Sequence, residues 1–253
     1  MKAAFDLHFH SCLSPCGDGA MTPATIAGLC KLAGLDVAAL TDHNTCGNCA
    51  AFCQACQAYG LLGLPGMELC TAEEVHVVCL LPDLAAADAF SRMVYDRLPP
   101  LENDRDIFGP QIYMDADDNV LGEERRMLAG ASSIGVYEVR ELAARFGGVA
   151  YPAHIDRPSF ALLSNLGFWD PALGFPLAEL SRHCPPDFAA GRPDLAGVRT
   201  ITGSDAHESG AVEHLRTLGV PVTIGHLPQN VEGAGCVIRT AAVHDDNPEI
   251  AAA

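Results

Sequence analysis

The sequence predicts an α/β barrel of parallel strands in a single domain, on three observations. Short apolar runs alternate with stretches of helical periodicity. The chain has 253 residues, 49% of them hydrophobic, a length at which α/β barrels form one domain with a sizeable core. Strand after strand also carries a histidine or carboxylate at its end, and in such barrels the reactive residues come from the carboxyl ends of several strands.

An apolar run from Ala3 forms the first strand and contains Asp6-Leu7-His8-Phe9-His10. Side chains alternate faces along a strand, so His8 and His10 share one face and make half a metal site. Residues 11–19 form a loop in which Asp18, between Gly17 and Gly19, can turn a carboxylate back towards the histidines. Thr22-Pro23 caps a helix that runs to about Ala33 and stops at Gly34. The next strand, 37–40, places His43 at its tip and Asn44 beyond it.

Residues 46–60 read as a helix carrying Cys46, Cys49, Cys53 and Cys56. The run is either an iron-sulfur or zinc site or a stripe of small hydrophobes. The stripe is favoured, because four ligands on one helix line up instead of surrounding an ion. The third strand carries Glu68, and the fourth, 75–81, carries His76 in an apolar run. An ionisable group inside such strands is costly unless satisfied, and a metal would satisfy it. A helix follows over 83–97.

From 99 to 133 the periodicity breaks. Residues 111–114 and 120–122 suggest a hairpin around an acidic turn. Asp115, Asp117 and Asn119 imitate the start of an EF-hand, but Val120 stands where that loop needs glycine, so calcium is rejected. A helix over 136–145 leads to a strand over 149–153 that ends in His154. A short helix over 160–165 and a strand over 178–180 precede a strand over 199–202, closed by Asp205 and His207. Strands are expected at 220–224 and 236–239, followed by a frayed tail. His183, His214, His226 and His244 lack the strand-end placement and read as ordinary histidines.

The formal charge of −17 disfavours attraction to long nucleic acid or anionic membranes. No apolar run suggests a membrane span and no leader is legible, so a cytoplasmic location is expected. The eleven cysteines then read as thiols or ligands and not as disulfides.

The ordered pieces Asp6 to His10, Asp18-Gly19, Thr41 to Asn44, Gly66 to Glu68, His76, Ala153-His154 and Gly203 to His207 resemble the motifs of the PHP (polymerase and histidinol phosphatase) family. That resemblance implies a distorted, TIM-like (β/α)7 barrel. Here it would be a domain over 1–240, with 99–133 as an insert or lid and 241–253 as a tail. It implies up to three divalent ions (Zn, Mn or Fe) and hydrolysis of phosphoesters. His8, His10, Glu68 and Asp205 would hold the first ion. Glu68 would bridge to a second, held by His76 and His154, and Asp18, His43 and His207 would hold a third. A metal-held hydroxide would attack phosphorus, with His207 or a coordinated water as the general acid. Arg157 is a candidate phosphate clamp or else a rim salt bridge, and Asp6 and Asp42 would orient ligands or cap strands. The expected substrate is a small phosphorylated metabolite, a nucleotide or a short oligonucleotide end. Amide or lactone hydrolysis at the same site, or a metal- or redox-sensing module, are the alternatives.

Overall fold

A computed structural model describes residues 2–207. The strands expected at 220–224 and 236–239, the tail at 241–253, and His214, His226 and His244 lie outside the described residues.

Strand β1 (Phe5–Phe9) leads through the 11–19 loop to helix α1 (Pro23–Leu32). The Thr22 side chain accepts from the Thr25 N–H and Pro23 occupies the first turn, as the Thr-Pro pair predicts. Strand β2 (Val37–Leu40), helix α2 (Cys49–Ala58), strand β3 (Leu62–Cys70), strand β4 (His76–Leu80) and helix α3 (Leu84–Tyr95) follow. Segment 99–133 holds a short helix, α4 (Arg105–Phe108), which periodicity did not reveal, and the expected hairpin of β5 (Ile112–Met114) and β6 (Val120–Glu123). Asp115 turns the hairpin by accepting from the Asp117 and Asn119 N–H groups, each at 2.9 Å. Helix α5 (Val136–Arg145), strand β7 (Val149–Pro152), helix α6 (Leu162–Leu166), strand β8 (Ala178–Ser181) and strand β9 (Thr200–Gly203) complete the described chain.

Five strands form one curled sheet in the order β1-β2-β3-β4-β7, and β8 pairs in parallel with β9. Two backbone hydrogen bonds join these pieces. Ile155 N–H donates to Glu179 O (2.9 Å), linking β7 to β8, and His10 N–H donates to Ala206 O (3.0 Å), linking the end of β1 to the end of β9.

One expectation is corrected. The sheet is not parallel throughout, because β4 runs antiparallel to both β3 and β7. Residues 71–75 form a tight turn in which Thr71 N–H bonds Val75 O, too short for a crossover back to the same end, so the chain reverses direction. His76 therefore starts its strand instead of following it. Reversal puts the amino end of β4 beside the carboxyl ends of its neighbours, and so His76 still reaches the common mouth.

Alternation along the strands sorts the side chains into two sets. Met67, Leu69, Val77, Cys79 and Ala150 face the main core under the helices, with Phe52 and Phe90 fully buried there. Side chains of that size stabilise by about 1.5–3 kcal/mol each on burial. Val78, Tyr151 and Ala153 form a separate cluster inside the curl. Glu68 and His76 belong to this inner face, and the apolar cluster forms a floor beneath them.

The thiol run, with Cys46 just ahead of α2 and the other three on it, is a packing stripe. Cys46, Cys49 and Cys56 are buried in the main core. Cys49 Sγ donates to Gly66 O (3.3 Å) and Cys53 Sγ to Gly63 O (3.5 Å), so small side chains let the helix lie close on β3. Burial pushes Cys30, Cys53 and Cys56 up to about 12, which leaves them protonated and unreactive.

Candidate metal centre

Histidines and carboxylates from six places in the chain meet at the mouth of the curled sheet. Glu68 is fully buried and lies among five imidazoles. Its Oε1 is 3.3 Å from His8 Nε2, 3.1 Å from His76 Nδ1 and 3.1 Å from His154 Nε2. Its Oε2 is 3.3 Å from His10 Nε2 and 3.0 Å from His43 Nδ1. Asp205 Oδ1 lies 3.1 Å from His10 Nε2 and 3.3 Å from His8 Nε2. Glu68 Oε2, His43 Nδ1 and Asp205 Oδ1 are buried without aligned hydrogen bonds. Converging lone-pair donors that are close but not aligned to each other fit a shared cation, which is the satisfaction such groups otherwise lack.

Electrostatics point the same way. Burial opposes charge on His8, but Glu179 and Glu68 overcome it and raise this imidazole well above its usual range. Burial likewise opposes charge on His10 and His43, yet contacts with Asp205 and Glu68 for the first, and Glu68 for the second, raise both to about 9. Burial would raise Glu68 too; the imidazoles around it, His76 and His8 foremost, hold it well below the usual carboxylate range. Buried carboxylates thus demand positive charge, and protons on the imidazoles meet that demand where no metal does.

Supporting residues fix which ring nitrogen faces inward. His8 Nδ1 lies 2.8 Å from Glu179 Oε1, and an ionised carboxylate only accepts, so Nδ1 donates and Nε2 turns to the cluster. Ser14 gives its single hydroxyl proton to Asp42 (2.8 Å) and must therefore accept from His10 Nδ1 (3.0 Å) and from His43 N–H (3.1 Å). Asp42 thus acts on His10 through Ser14. Asp6 accepts from Ser204 N–H (3.2 Å) and ties β1 to β9. Glu179 escaped the sequence reading although a carboxylate in the middle of an apolar strand was the available signal. Gly203 leaves it room, since a Cβ there would collide with the Glu179 carboxylate.

Backbone strain marks the same place. His154 (φ 28°), Asp205 (φ 49°) and Asn44 (φ 53°) hold left-handed conformations, each costing of the order of 1–3 kcal/mol. His154 and Asp205 sit on sharp turns that aim their side chains inward.

Three donor groups have their ligand atoms within 4.8 Å of one another: His8, His10, Glu68 and Asp205; His43, Glu68 and His76; and His10, Cys16, His43 and His207. Of the nine residues expected, eight therefore lie in the cluster, His154 through Glu68. Asp18 is not in these groups. Its backbone N–H bonds His207 O (2.9 Å) and its Oδ1 accepts from Ala20 N–H (2.9 Å). His207 stacks on His10 at 4.1 Å, and burial together with His10 pushes it down to about 3. Arg157 pairs with Asp205, which is the geometry of the rim salt bridge. His183 is exposed and apart.

The cluster opens into a cavity of about 500 Å³. Its wall includes Arg157, Phe160, and Ile107, Phe108 and Ala129 of segment 99–133. Phe160 stacks on His76 at 4.8 Å. No helix among the described residues is long and apolar enough to cross a membrane.

Comparison with known proteins adds the following. Residues 6–144 match the family model described as PHP domain. Residues 198–253 match that of the Mur ligase family, catalytic domain. UDP-N-acetylmuramate–L-alanine ligase of Legionella pneumophila is 57% identical over 53 residues, 21% of this chain and 11% of the ligase. The same enzyme of Persephonella marina is 49% identical over 51 residues, 20% of this chain and 11% of the ligase. The chain thus spans about a ninth of the length of these curated relatives. Among solved structures, a candidate metal-dependent phosphoesterase of Bifidobacterium adolescentis has a TM-score of 0.60 at 20% identity, covering 83% of this chain and 90% of that one. The lesion-specific endonuclease Q of Pyrococcus furiosus gives 0.58 at 20%, covering 82% and 49%. An amidohydrolase of Chromobacterium violaceum, with sulfate bound and no metal, gives 0.56 at 22%, covering 83% and 89%. At these identities the likeness is one of fold.

Proposed function

Because the chain belongs to the PHP domain family, we propose that it is a metal-dependent phosphoesterase acting on a small phosphorylated compound. The observation that carries this reading is the Glu68 carboxylate set among five imidazole nitrogens at 3.0–3.3 Å. We read the curled sheet with β8 and β9 as a distorted (β/α)7 barrel, and segment 99–133 as its lid.

His8, His10, Glu68 and Asp205 would hold one divalent ion, and Glu68, His76 and His154 a second. A third would lie by His43 and His207. Such ions supply Lewis acidity to phosphoryl oxygens and lower the pKa of coordinated water. The protein's own part is to position and to exclude. Glu179 and Ser14 set the facing nitrogens of His8 and His10, and Val78, Tyr151 and Ala153 seal the floor. Arg157, half-exposed at the cavity wall, would turn its second guanidinium edge to a phosphate oxygen. Proton delivery by His207, the other role expected of it, needs a charge that burial and His10 oppose, so a ligand role suits it better. The cavity admits a compact substrate, and the net charge of −17 gives a long nucleic acid little to hold.

The Pyrococcus furiosus relative is an endonuclease and the Chromobacterium violaceum one an amidohydrolase by description, so duplex cleavage and amide hydrolysis form the comparison arms. Exhaustive dialysis against a chelator should reduce hydrolysis of p-nitrophenyl phosphate to background, with recovery on adding Zn, Mn or Fe. Undiminished phosphoester hydrolysis by metal-free protein, or turnover of amides alone, would overturn the proposal. Glu179→Ala should weaken metal binding about 10–100-fold, read by competition with a chromophoric chelator. Glu179→Gln, whose amide oxygen still accepts from His8, should recover part of it.

A further inference from the structure

We propose that the third ion position is a thiolate site, built from Cys16, His43 and His207, and that Asp18 is a loop-shaping residue outside it. This rests on the metal-centre reading above and changes one ligand of it, with consequences for which ion is bound.

Sγ of Cys16 lies within 4.8 Å of ring nitrogens of His10, His43 and His207. Unlike Cys30, Cys49 and Cys56, it lies outside the core and lines the cavity. The loop is shaped to bring it there. Ser14 N–H bonds Ser11 O (3.0 Å) and Gly17 N–H bonds Ser14 O (2.9 Å), two successive turns. A Cβ at Gly17 would collide with the Ser11 carbonyl, so the residue after Cys16 has to be glycine for the loop to fold this tightly. Asp18 serves the same loop through its bonds to Ala20 and His207.

His10 belongs to the neighbouring ion, because Ser14 holds its Nδ1 and its Nε2 faces Glu68 and Asp205. That leaves, among the described residues of this group, two imidazoles and one thiol. Three protein ligands with a side open to the cavity is the usual plan of a catalytic zinc position. On binding, the Cys16 thiol loses its proton to solvent and the sulfur lone pair bonds the ion. A thiolate favours Zn²⁺, Co²⁺ or Fe²⁺ over Mg²⁺, Ca²⁺ or Mn²⁺, so this position should discriminate where an all-oxygen-and-nitrogen one would not.

The test uses the full chain, stripped of metal and titrated with Co²⁺ alone. The wild type should develop a near-ultraviolet sulfur-to-cobalt charge-transfer band. Cys16→Ser should lose the band and about one ion per chain while retaining the other ions, which also shows that it folds. Asp18→Asn should keep both. A second arm needs no variant: Zn²⁺ should slow alkylation of Cys16 in the wild type by about tenfold or more, scored on the Cys16 peptide by mass. A band that persists in Cys16→Ser, an ion lost from Asp18→Asn instead, or equal alkylation with and without Zn²⁺ would overturn the thiolate site. Failure of the wild type to bind Co²⁺ at all would overturn the metal-centre reading beneath it.

Discussion

Replacing Glu68 by Gln is expected to remove two ions at once and to lower phosphoester turnover at least about 10³-fold, the equivalent of several kcal/mol of charge stabilisation. Glu68 is the side chain common to the His8/His10/Asp205 and His43/His76 groups, so among the described residues no other single ligand touches both. Glutamine has nearly the same volume, and the β3 backbone around it is held by pairing to β4 through Glu68↔Val78. The barrel should therefore persist. The measurement is metal content by elemental analysis alongside circular dichroism. Loss of metal with an unchanged spectrum supports the bridging role, and wild-type metal content in the variant contradicts it.

Asp205→Asn should have the next largest effect, a loss of one ion and about 10²–10³-fold in turnover. The substitution is chosen for the backbone: Asp205 sits at φ 49°, and asparagine tolerates the left-handed region better than most residues. Arg157 loses its partner, but it is half-exposed and water can replace the carboxylate, so stability should change little. Thermal unfolding of the metal-free variant within a few degrees of the metal-free wild type, about the shift that 1 kcal/mol gives in a domain of this size, would confirm that the site and not the fold was damaged.

Much of this was legible in the sequence because strand period and strand-end placement are local signals. The strand-end placement of His8 and His10 on β1, of His43 past Leu40 and of His154 past β7 is legible from spacing. The antiparallel course of β4 was not legible, since a buried run of Val and Cys looks the same in either direction, and only the short 71–75 turn hints at reversal. Glu179 was missed because its one local mark, a carboxylate within an apolar strand, does not say what it serves; it matters through His8, 171 residues away. Cys16 carries no mark in the motif pattern, and its place beside His43 and His207 follows from a loop folded tightly where Gly17 packs against the Ser11 carbonyl.

The most direct test of the central claim is elemental analysis of the purified full chain, with each preparation assayed on a phosphomonoester. About two to three ions of Zn, Mn or Fe per chain are expected, with turnover proportional to their content, since metal supplies the charge at the reacting centre. Protein that turns over phosphoester with no stoichiometric metal, or that carries its full complement and hydrolyses no phosphoester, would contradict it.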